Sequence, residues 1–187
     1  SNAGNYDLHL ALHSNAAPPA QSGTVQGSVT FYYPGSEEGQ RAARIIANNL
    51  KTIYPNPNLV TAQPSTSIGE VTKVRAPSAF LELAYHDNPA DAAWIKNNLD
   101  AIALNLVLSL TEFFGIPFLE PVPSRAGVVD VSWGYLNIRS RPSADAPIIA
   151  HAPDGAPLTI LNQDGNWYLV NYNGVIGYAS QDFITLV

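Results

Sequence analysis

The sequence predicts an α/β protein in two parts: an α/β layer with a mostly parallel sheet, then a small all-β barrel. Residues 4–115 alternate apolar, β-rich runs with segments of helical periodicity, the order expected of a largely parallel sheet. Residues 116–126 contain three prolines and no periodicity, which is typical of a linker. Residues 127–187 show no helical pattern, and Asp-Gly and Asn-Gly turns separate their short β-rich runs.

Strands are predicted from runs of apolar and β-branched residues. Tyr6–His13 alternates and is apolar on one side, and Gly27–Tyr33 is rich in β-formers. Ala79–Tyr85 is a continuous apolar run interrupted only by Glu82. A further short strand is expected near residues 70–75.

Two helices are predicted between these strands. Glu37–Ile53 places its large aliphatic residues on one face and its basic residues elsewhere. A second, long helix begins with Asn88 as N-cap and Pro89 at the first helical position, and Gly115 ends it. Its apolar residues recur every three or four positions: Ile95, Leu99, Ile102, Leu106, Leu110 and Phe113.

The all-β part is expected to contain a hairpin in which Tyr168–Tyr172 and Val175–Ala179 flank Asn173-Gly174. Six aliphatic residues would fill its core: Leu136, Ile138, Leu158, Ile160, Leu169 and Ile184. The all-β part also has more large aromatic residues than so small a core needs, and this excess indicates a groove lined by aromatic side chains. The residues are Trp133, Tyr135, Trp167, Tyr172 and Tyr178.

Composition excludes several classes of function. The net charge of −6 and the lack of a basic stripe argue against nucleic-acid binding. No apolar run reaches the roughly 18 residues of a membrane span. Cysteine is absent, so disulfides and cysteine-ligated zinc are excluded. Methionine is also absent and Ser1-Asn2-Ala3 is interpreted as an expression scar, so we expect the natural start to lie elsewhere.

Two ionisable side chains stand out on apolar strands. His13 closes the first strand, and Glu82 lies within the last apolar strand of the α/β layer. Functional groups gather beyond the carboxyl ends of parallel strands, so the two would share a site if their strands are neighbours. The pair would suit amide hydrolysis, with His13 as a zinc ligand and Glu82 as acid and base. The alternatives are a hydrogen-bonded structural histidine, and pairing of Glu82 with Arg75 or a helix terminus.

Four segments resemble the zinc-dependent N-acetylmuramoyl-L-alanine amidases, which cut peptidoglycan. His13-Ser14-Asn15-Ala16 is similar to the family's His-x-Asn-Ala motif, whose histidine binds zinc. Leu81–Tyr85 resembles the strand that carries the catalytic glutamate, here Glu82. The other two segments, residues 29–34 and 86–95, resemble the strand after the zinc histidine and the start of the last helix. The resemblance covers residues 4–115 and implies hydrolysis of the amide between N-acetylmuramic acid and L-alanine.

The resemblance also implies zinc ligands that have no counterpart here. Family members carry an earlier histidine and a glutamate on the next helix, and nothing before Tyr6 matches either. His9 is about 13 Å from His13 along a regular strand, too far for both to reach one ion comfortably. We therefore expect residues 4–115 to be a catalytic domain without its N-terminal part, which binds zinc weakly or not at all and is weakly active or inactive. Asn15 is expected to shape the turn after the ligand, and His86 to be an accessory or structural residue.

Residues 127–187 resemble bacterial SH3-type domains. Residues 135–143 resemble the opening signature, and residues 166–179 the closing hairpin. Such domains often attach enzymes to peptidoglycan, which would raise the local concentration of substrate. The candidate wall-binding residues are Trp133, Tyr135, Arg139, Trp167 and Tyr178. A spacer without a ligand is the alternative.

The combined interpretation is a bacterial cell-wall amidase that acts outside the cell or in the wall, with an SH3-type targeting domain. A non-catalytic wall-binding protein is the rival from another class. A homodimer is a further expectation, because the strand beginning at Tyr6 would otherwise present an unpaired edge.

Overall fold

The computed structural model describes all 187 residues and divides into two compact units, Ser1–Gly115 and Ile116–Val187. The first unit contains a four-stranded sheet in the order β1-β4-β2-β3. Strand β1 is parallel to β4 and β2 is parallel to β3, whereas β2 and β4 are antiparallel. The predicted α/β layer with a mostly parallel sheet is confirmed. The strands are β1 His9–Asn15, β2 Ser28–Tyr32, β3 Val60–Pro64 and β4 Ser78–Tyr85.

Four helices accompany this sheet: α1 Glu37–Leu50, α2 Gly69–Thr72, α3 Pro89–Asn97 and α4 Leu99–Phe114. The side chain of Ser36 caps α1 by accepting from the backbone N–H of Gly39. Asn88 caps α3, as predicted, and Gly115 ends α4 in the left-handed conformation at φ 63°. None of the helices combines the length and hydrophobicity needed to cross a bilayer.

The single long helix predicted after Asn88 is wrong, because the chain breaks at Asn98 into α3 and α4. Asn98 has a non-helical φ of −129°, and its side-chain amide donates to the carbonyl of Trp94 at 2.8 Å. This local bond offers the backbone an alternative to a continuous helix. As a result Leu99, which the continuous period would bury, is exposed.

The short strand expected near residues 70–75 is also wrong. That region forms the helix α2, and the strand lies earlier, at β3. Ser65 accepts hydrogen bonds from the backbone N–H groups of Ser67 and Ile68, which turns the chain before the helix. Val71 of α2 is then buried with Ala11 and Phe80 on one face of the sheet.

The larger core lies on the other face of the sheet, against α1, α3 and α4. Fully buried Ile46, Leu50 and Leu81 are at its centre. Burying an aliphatic side chain of this size contributes about 1.5–3 kcal/mol. Helix α4 also buries Asn105, whose amide donates to the carbonyl of Asn49 in α1. This bond satisfies part of the hydrogen-bonding capacity of the buried Asn105 side chain. The apolar pattern of the helix did not assign this position to a face.

A buried carboxylate, that of Asp91, joins four parts of the first unit. Asp91 is 2% exposed and lies in the first turn of α3. Its oxygens accept from the Tyr54 hydroxyl at 2.5 Å, the Gly27 N–H at 3.1 Å and the Tyr85 N–H at 2.9 Å. Burial first, and then the hydrogen bond and charge of Asp91, raise the pKa of the Tyr54 hydroxyl.

The second unit is an all-antiparallel sheet in the order β11-β5-β8-β9-β10-β6-β7, which confirms the predicted all-β part. Its strands are β5 Arg125–Val129, β6 Tyr135–Arg139, β7 Ile148–Pro153, β8 Pro157–Asp164, β9 Trp167–Tyr172, β10 Val175–Ser180 and β11 Ile184–Leu186.

The predicted hairpin is present between β9 and β10. Asn173 and Gly174 have positive φ angles of 50° and 86°, as a type I′ turn requires. Five of the six predicted core residues are buried. Leu169 is only half-buried, because Tyr168 and Val170 occupy the core side of β9 and the strand alternates.

Asp91→Asn is expected to destabilise the first unit by about 2–4 kcal/mol, because a charged acceptor of three hydrogen bonds is lost inside the core. Urea unfolding followed by circular dichroism measures the change. Asp100→Asn, at an exposed first-turn position of α4, is the matched control and should change stability by under about 0.5 kcal/mol. Equal effects of the two changes would contradict the assigned role of Asp91.

Gly177→Ala is expected to destabilise the second unit by about 1–3 kcal/mol through overpacking. A Cβ at this position would approach the backbone oxygen of Arg139 to 2.7 Å, and backbone cannot move aside cheaply. Thermal unfolding measures the shift. Gly69→Ala in α2, where the nearest atom is a lysine side-chain carbon at 4.0 Å, should leave stability unchanged or raise it slightly. A stable Gly177→Ala variant would refute the packing argument.

Candidate functional site

His13 and Glu82 face each other across two neighbouring strands of the first unit. They are register partners in the parallel pair of β1 and β4. Strand neighbours lie about 4.8 Å apart and partner side chains share a sheet face. The two residues that the sequence singled out are therefore brought together towards the carboxyl ends of both strands.

The carboxyl group of Glu82 is poorly solvated. Its Oε2 atom is buried and has no hydrogen-bond partner. Burial raises the pKa of Glu82, and the nearby His13 and His86 oppose that effect. Neither Arg75 nor any other cation forms an ion pair with it. A carboxyl group with a raised pKa and a free oxygen is suited to taking up and releasing a proton.

Glu70 is a member of this region that the sequence analysis missed. Its carboxylate lies 3.2 Å from Nε2 of His13 and 3.4 Å from Nε2 of His9. The two histidines, four residues apart on one strand face, thus converge on one carboxylate from α2. The contact joins residues that are far apart in sequence. It was not predicted because residues 70–75 were expected to form a strand. The ring of His13 also stacks on Phe80 at 4.4 Å.

The accessory residues lie at the end of the same strand pair. The backbone carbonyl of Asn15 accepts from the N–H of His86, and its side-chain oxygen accepts from the N–H of Ala16. Nδ1 of His86 lies 3.1 Å from the hydroxyl of Ser14. Both residues therefore connect the ends of β1 and β4.

The histidine and carboxylate side chains of this region are not grouped as a metal centre. No group of three or more histidine, cysteine, aspartate or glutamate residues is arranged to hold a metal ion. The residues present therefore do not fit a three-ligand zinc site. Nε2 of His13, the zinc ligand expected from the sequence, faces Glu70.

The second unit contains a cleft of about 640 Å³. Four of its candidate wall-binding residues line this cleft together: Trp133, Tyr135, Arg139 and Trp167. Tyr178 does not line it, because β10 lies between β9 and β6 and the ring is only 5% exposed. Burial, followed by the charge of Asp164, raises the pKa of the Tyr178 hydroxyl. Its inclusion among residues that touch a ligand is corrected: it supports the sheet.

Two family models match the chain, and each match lies within one of its two structural units. The model of the N-acetylmuramoyl-L-alanine amidase family matches residues 1–111, and the model of the bacterial SH3 domain matches residues 134–185. No curated protein matches the chain.

Several solved structures resemble the chain over part of its length. The catalytic domain of an endolysin targeting Clostridia difficile is 27% identical, with a TM-score of 0.51 over 59% of this chain and 57% of that one. The CwlD amidase of Clostridioides difficile, in complex with the GerS lipoprotein, is 17% identical, with a TM-score of 0.55 over 61% and 57%. An N-acetylmuramoyl-L-alanine amidase from Clostridium difficile 630 is 15% identical, with a TM-score of 0.52 over 61% of each chain. The last two show the fold alone, and the chain spans about 57% of the length of the first two.

The amidase model covers 111 of the 187 residues, and the facing pair of His13 and Glu82 lies inside that range. This chain belongs to the N-acetylmuramoyl-L-alanine amidase family and carries a bacterial SH3 domain after its amidase region.

Proposed function

We propose that this protein hydrolyses the amide between N-acetylmuramic acid and L-alanine in peptidoglycan, with Glu82 as the proton carrier. The observation that carries the proposal is that Glu82 and His13 are register partners on adjacent strands. One carboxyl oxygen of Glu82 is also buried and has no hydrogen-bond partner. Membership of the amidase family supports the reaction class.

Glu82 would act on the proton of the attacking water. Water adds to the amide carbonyl carbon, the carbon–nitrogen bond breaks, and Glu82 passes the proton to the leaving amine of L-alanine. The raised pKa of Glu82 makes it a stronger base than an exposed glutamate and a competent acid afterwards. His13 lies across from the carboxyl group, as the register partner of Glu82 on β1.

Zinc is the cofactor that the family resemblance implies, and it would polarise the carbonyl and activate the water. Our proposal assigns His13 alone as a ligand. No step is derived through the metal, because no three-ligand set is present among these residues.

The SH3 domain would hold the protein on peptidoglycan through the cleft lined by Trp133, Tyr135, Arg139 and Trp167. Attachment to an insoluble substrate raises the effective concentration of cleavable bonds. This role places the protein outside the cell or in the wall.

A homodimer is the proposed assembly. Strand β1 pairs only with β4, so its other edge is unpaired, and an apolar groove of about 730 Å³ lies beside it. Unpaired edges invite strand addition. Leu12 and Leu99 line that groove and are exposed.

A second function, wall binding without catalysis, is favoured by the lack of three grouped metal ligands. The two functions predict different results with insoluble peptidoglycan. A binder sediments with it and releases no new amino groups, whereas an amidase exposes the amine of L-alanine.

Glu82→Gln is expected to reduce amidase activity by about 10²–10⁴-fold, because the amide side chain cannot take up the proton. The assay measures free L-alanine amino groups released from purified peptidoglycan by the whole chain. Glu37→Gln, at an exposed position in the first turn of α1, should retain activity. Equal activity of Glu82→Gln and the parent chain, measured with and without added zinc, would overturn the proposal.

The same substitution should stabilise the fold at neutral pH. A raised native pKa means that the folded state binds more protons than the unfolded state above the ordinary pKa of about 4.5, so Glu82 costs stability as the pH rises through that window. The melting temperature of Glu82→Gln should therefore exceed that of the parent at pH 7, and the difference should shrink towards pH 4. Glu120→Gln, in an exposed segment, should show no such trend. A gain that does not depend on pH would contradict the raised pKa.

A further inference from the structure

The outer edge of strand β1 carries backbone hydrogen-bonding groups that no other strand takes up, because β1 pairs only with β4. The N–H of His9 donates to the carbonyl of Pro77, which fixes the alternation along the strand. The N–H and C=O groups of Leu10 and Leu12 are therefore turned away from β4, towards the open edge. The strand contains no proline, lysine or acidic residue, which are the residues that usually block an exposed edge.

The two faces of β1 differ in their chemistry. Leu10 packs against the larger core, and Leu12 lines the apolar groove on the same face and is 59% exposed. His9 and His13 lie on the opposite face, beside Glu70 of α2. One edge strand thus presents apolar side chains on one face and side chains that can bind a metal ion on the other.

Nε2 of His13 and the carboxylate of Glu70 are spaced like two ligands of one ion. The two atoms are 3.2 Å apart. Zinc–nitrogen and zinc–oxygen bonds of about 2.0–2.2 Å in a tetrahedral arrangement place two ligand atoms about 3.3 Å apart. His9 of the same copy contacts the other oxygen of this carboxylate, and its Nε2 is buried without a hydrogen-bond partner. Each copy therefore has two adjacent ligands and one further imidazole nitrogen that lies apart from them.

A second copy of the chain fits the open edge, because the edge is self-complementary about a two-fold axis. Two edges related by such an axis run antiparallel. With Ala11 on the axis, the outward backbone groups of Leu10 meet those of Leu12 in the second copy, and leucine packs on leucine. The same register sets His9 of the second copy opposite His13. Side chains in such a non-hydrogen-bonded pair have Cβ atoms about 4.5–5.5 Å apart.

We propose that two copies of this chain pair along β1 and share two zinc sites, each built from His13 and Glu70 of one copy and His9 of the other. This inference rests on the proposed homodimer and the proposed ligand role of His13, and it reconciles them with the lack of a three-ligand group within one copy. Glu70 and His9 are not the ligands that the family resemblance implies, which precede the segment that matches His13. Each site lies beside Glu82, the register partner of His13.

Sedimentation velocity and elemental analysis of the whole chain test the shared site, in zinc chloride, in magnesium chloride and in EDTA. We expect a dimer with about one zinc per chain, and a dimer dissociation constant at least about tenfold lower in zinc than in EDTA. Magnesium should not have this effect, because it prefers oxygen ligands. A monomer that binds zinc, or a dimer that binds none, overturns the inference.

Mixing two variants shows whether the ligands come from different copies. His9→Ala and His13→Ala change partly exposed side chains, and each should bind no zinc when it is alone. A mixed dimer keeps one complete site, from His13 of one variant and His9 of the other. Random pairing makes about half of the dimers mixed, so an equal mixture should recover about a quarter of the parent zinc content. If the mixture recovers no zinc, the ligands are not shared between copies.

A change at the edge tests the pairing itself. Leu12→Lys should leave the chain folded but abolish both the dimer and zinc binding, because a charged side chain on an open edge opposes strand addition. Leu104→Lys is the matched control, since Leu104 is 48% exposed on α4 and lies outside the groove lining. It should retain the dimer and the zinc. Circular dichroism of every variant checks the fold, and full zinc binding by monomeric Leu12→Lys would contradict the shared site.

None of these measurements uses amidase activity, so failure of the shared site is distinguishable from failure of the proposed function. A chain that is dimeric without zinc leaves the homodimer standing and makes the shared site wrong. A chain that is monomeric in zinc makes both wrong. In either case the comparison of Glu82→Gln with the parent chain still decides the proposed hydrolysis.

Discussion

The first unit depends on the buried carboxylate of Asp91. Its three hydrogen bonds join the residue before β2, the segment after α1 and the end of β4 to the first turn of α3. A buried charge is tolerable only when its lone pairs are satisfied, so these four segments have to meet in one arrangement. The neighbouring Asn88 and Asp87 add further bonds to Gly23, which fixes the loop between β1 and β2. Closing the end of β4 in this way fixes the backbone that carries Glu82.

The two halves of the candidate active site are held differently. Strand β4 pairs on both sides, with β1 and β2, so Glu82 lies on a central strand whose position is determined by two ladders. The fold thus keeps a poorly solvated carboxyl group in a rigid place, at a cost in stability that its raised pKa reflects. Chemistry and stability are opposed at this residue, as is common at sites that move protons.

Sequence patterns correctly predicted the features that depend on interactions between residues close together in the chain. The α/β order, the cap at Asn88, the αL end at Gly115 and the Asn173-Gly174 hairpin all follow from period, capping and turn chemistry. A shared site for His13 and Glu82 was conditional on neighbouring strands, and the register shows that β1 and β4 are neighbours.

What the sequence could not reveal depends on long-range contacts. Glu70 reaches His13 only after α2 folds over the sheet, and Asn98 breaks a helix whose apolar period continues through it. Asp91 is an acidic residue in the first turn of a helix, and only its burial and its hydrogen bonds with Gly27, Tyr54 and Tyr85 show its role. The cleft in the SH3 domain follows from which aromatic residues the strands leave in water, as the contrast between Trp133 and the buried Tyr178 shows.

Strand β1 is tied to the sheet along one side, by a partner that begins 69 residues later in the chain, since His9 pairs with Ser78. Segments held by a single ladder open at lower free energy than the rest of a domain, without global unfolding. Backbone amides of β1 should therefore exchange with deuterium before those of β4. In a single copy of the chain, each such opening takes His13 away from Glu82 and returns it, so the time that the pair spends assembled depends on the fraying of one strand, and pairing of that edge with a second copy would lengthen it.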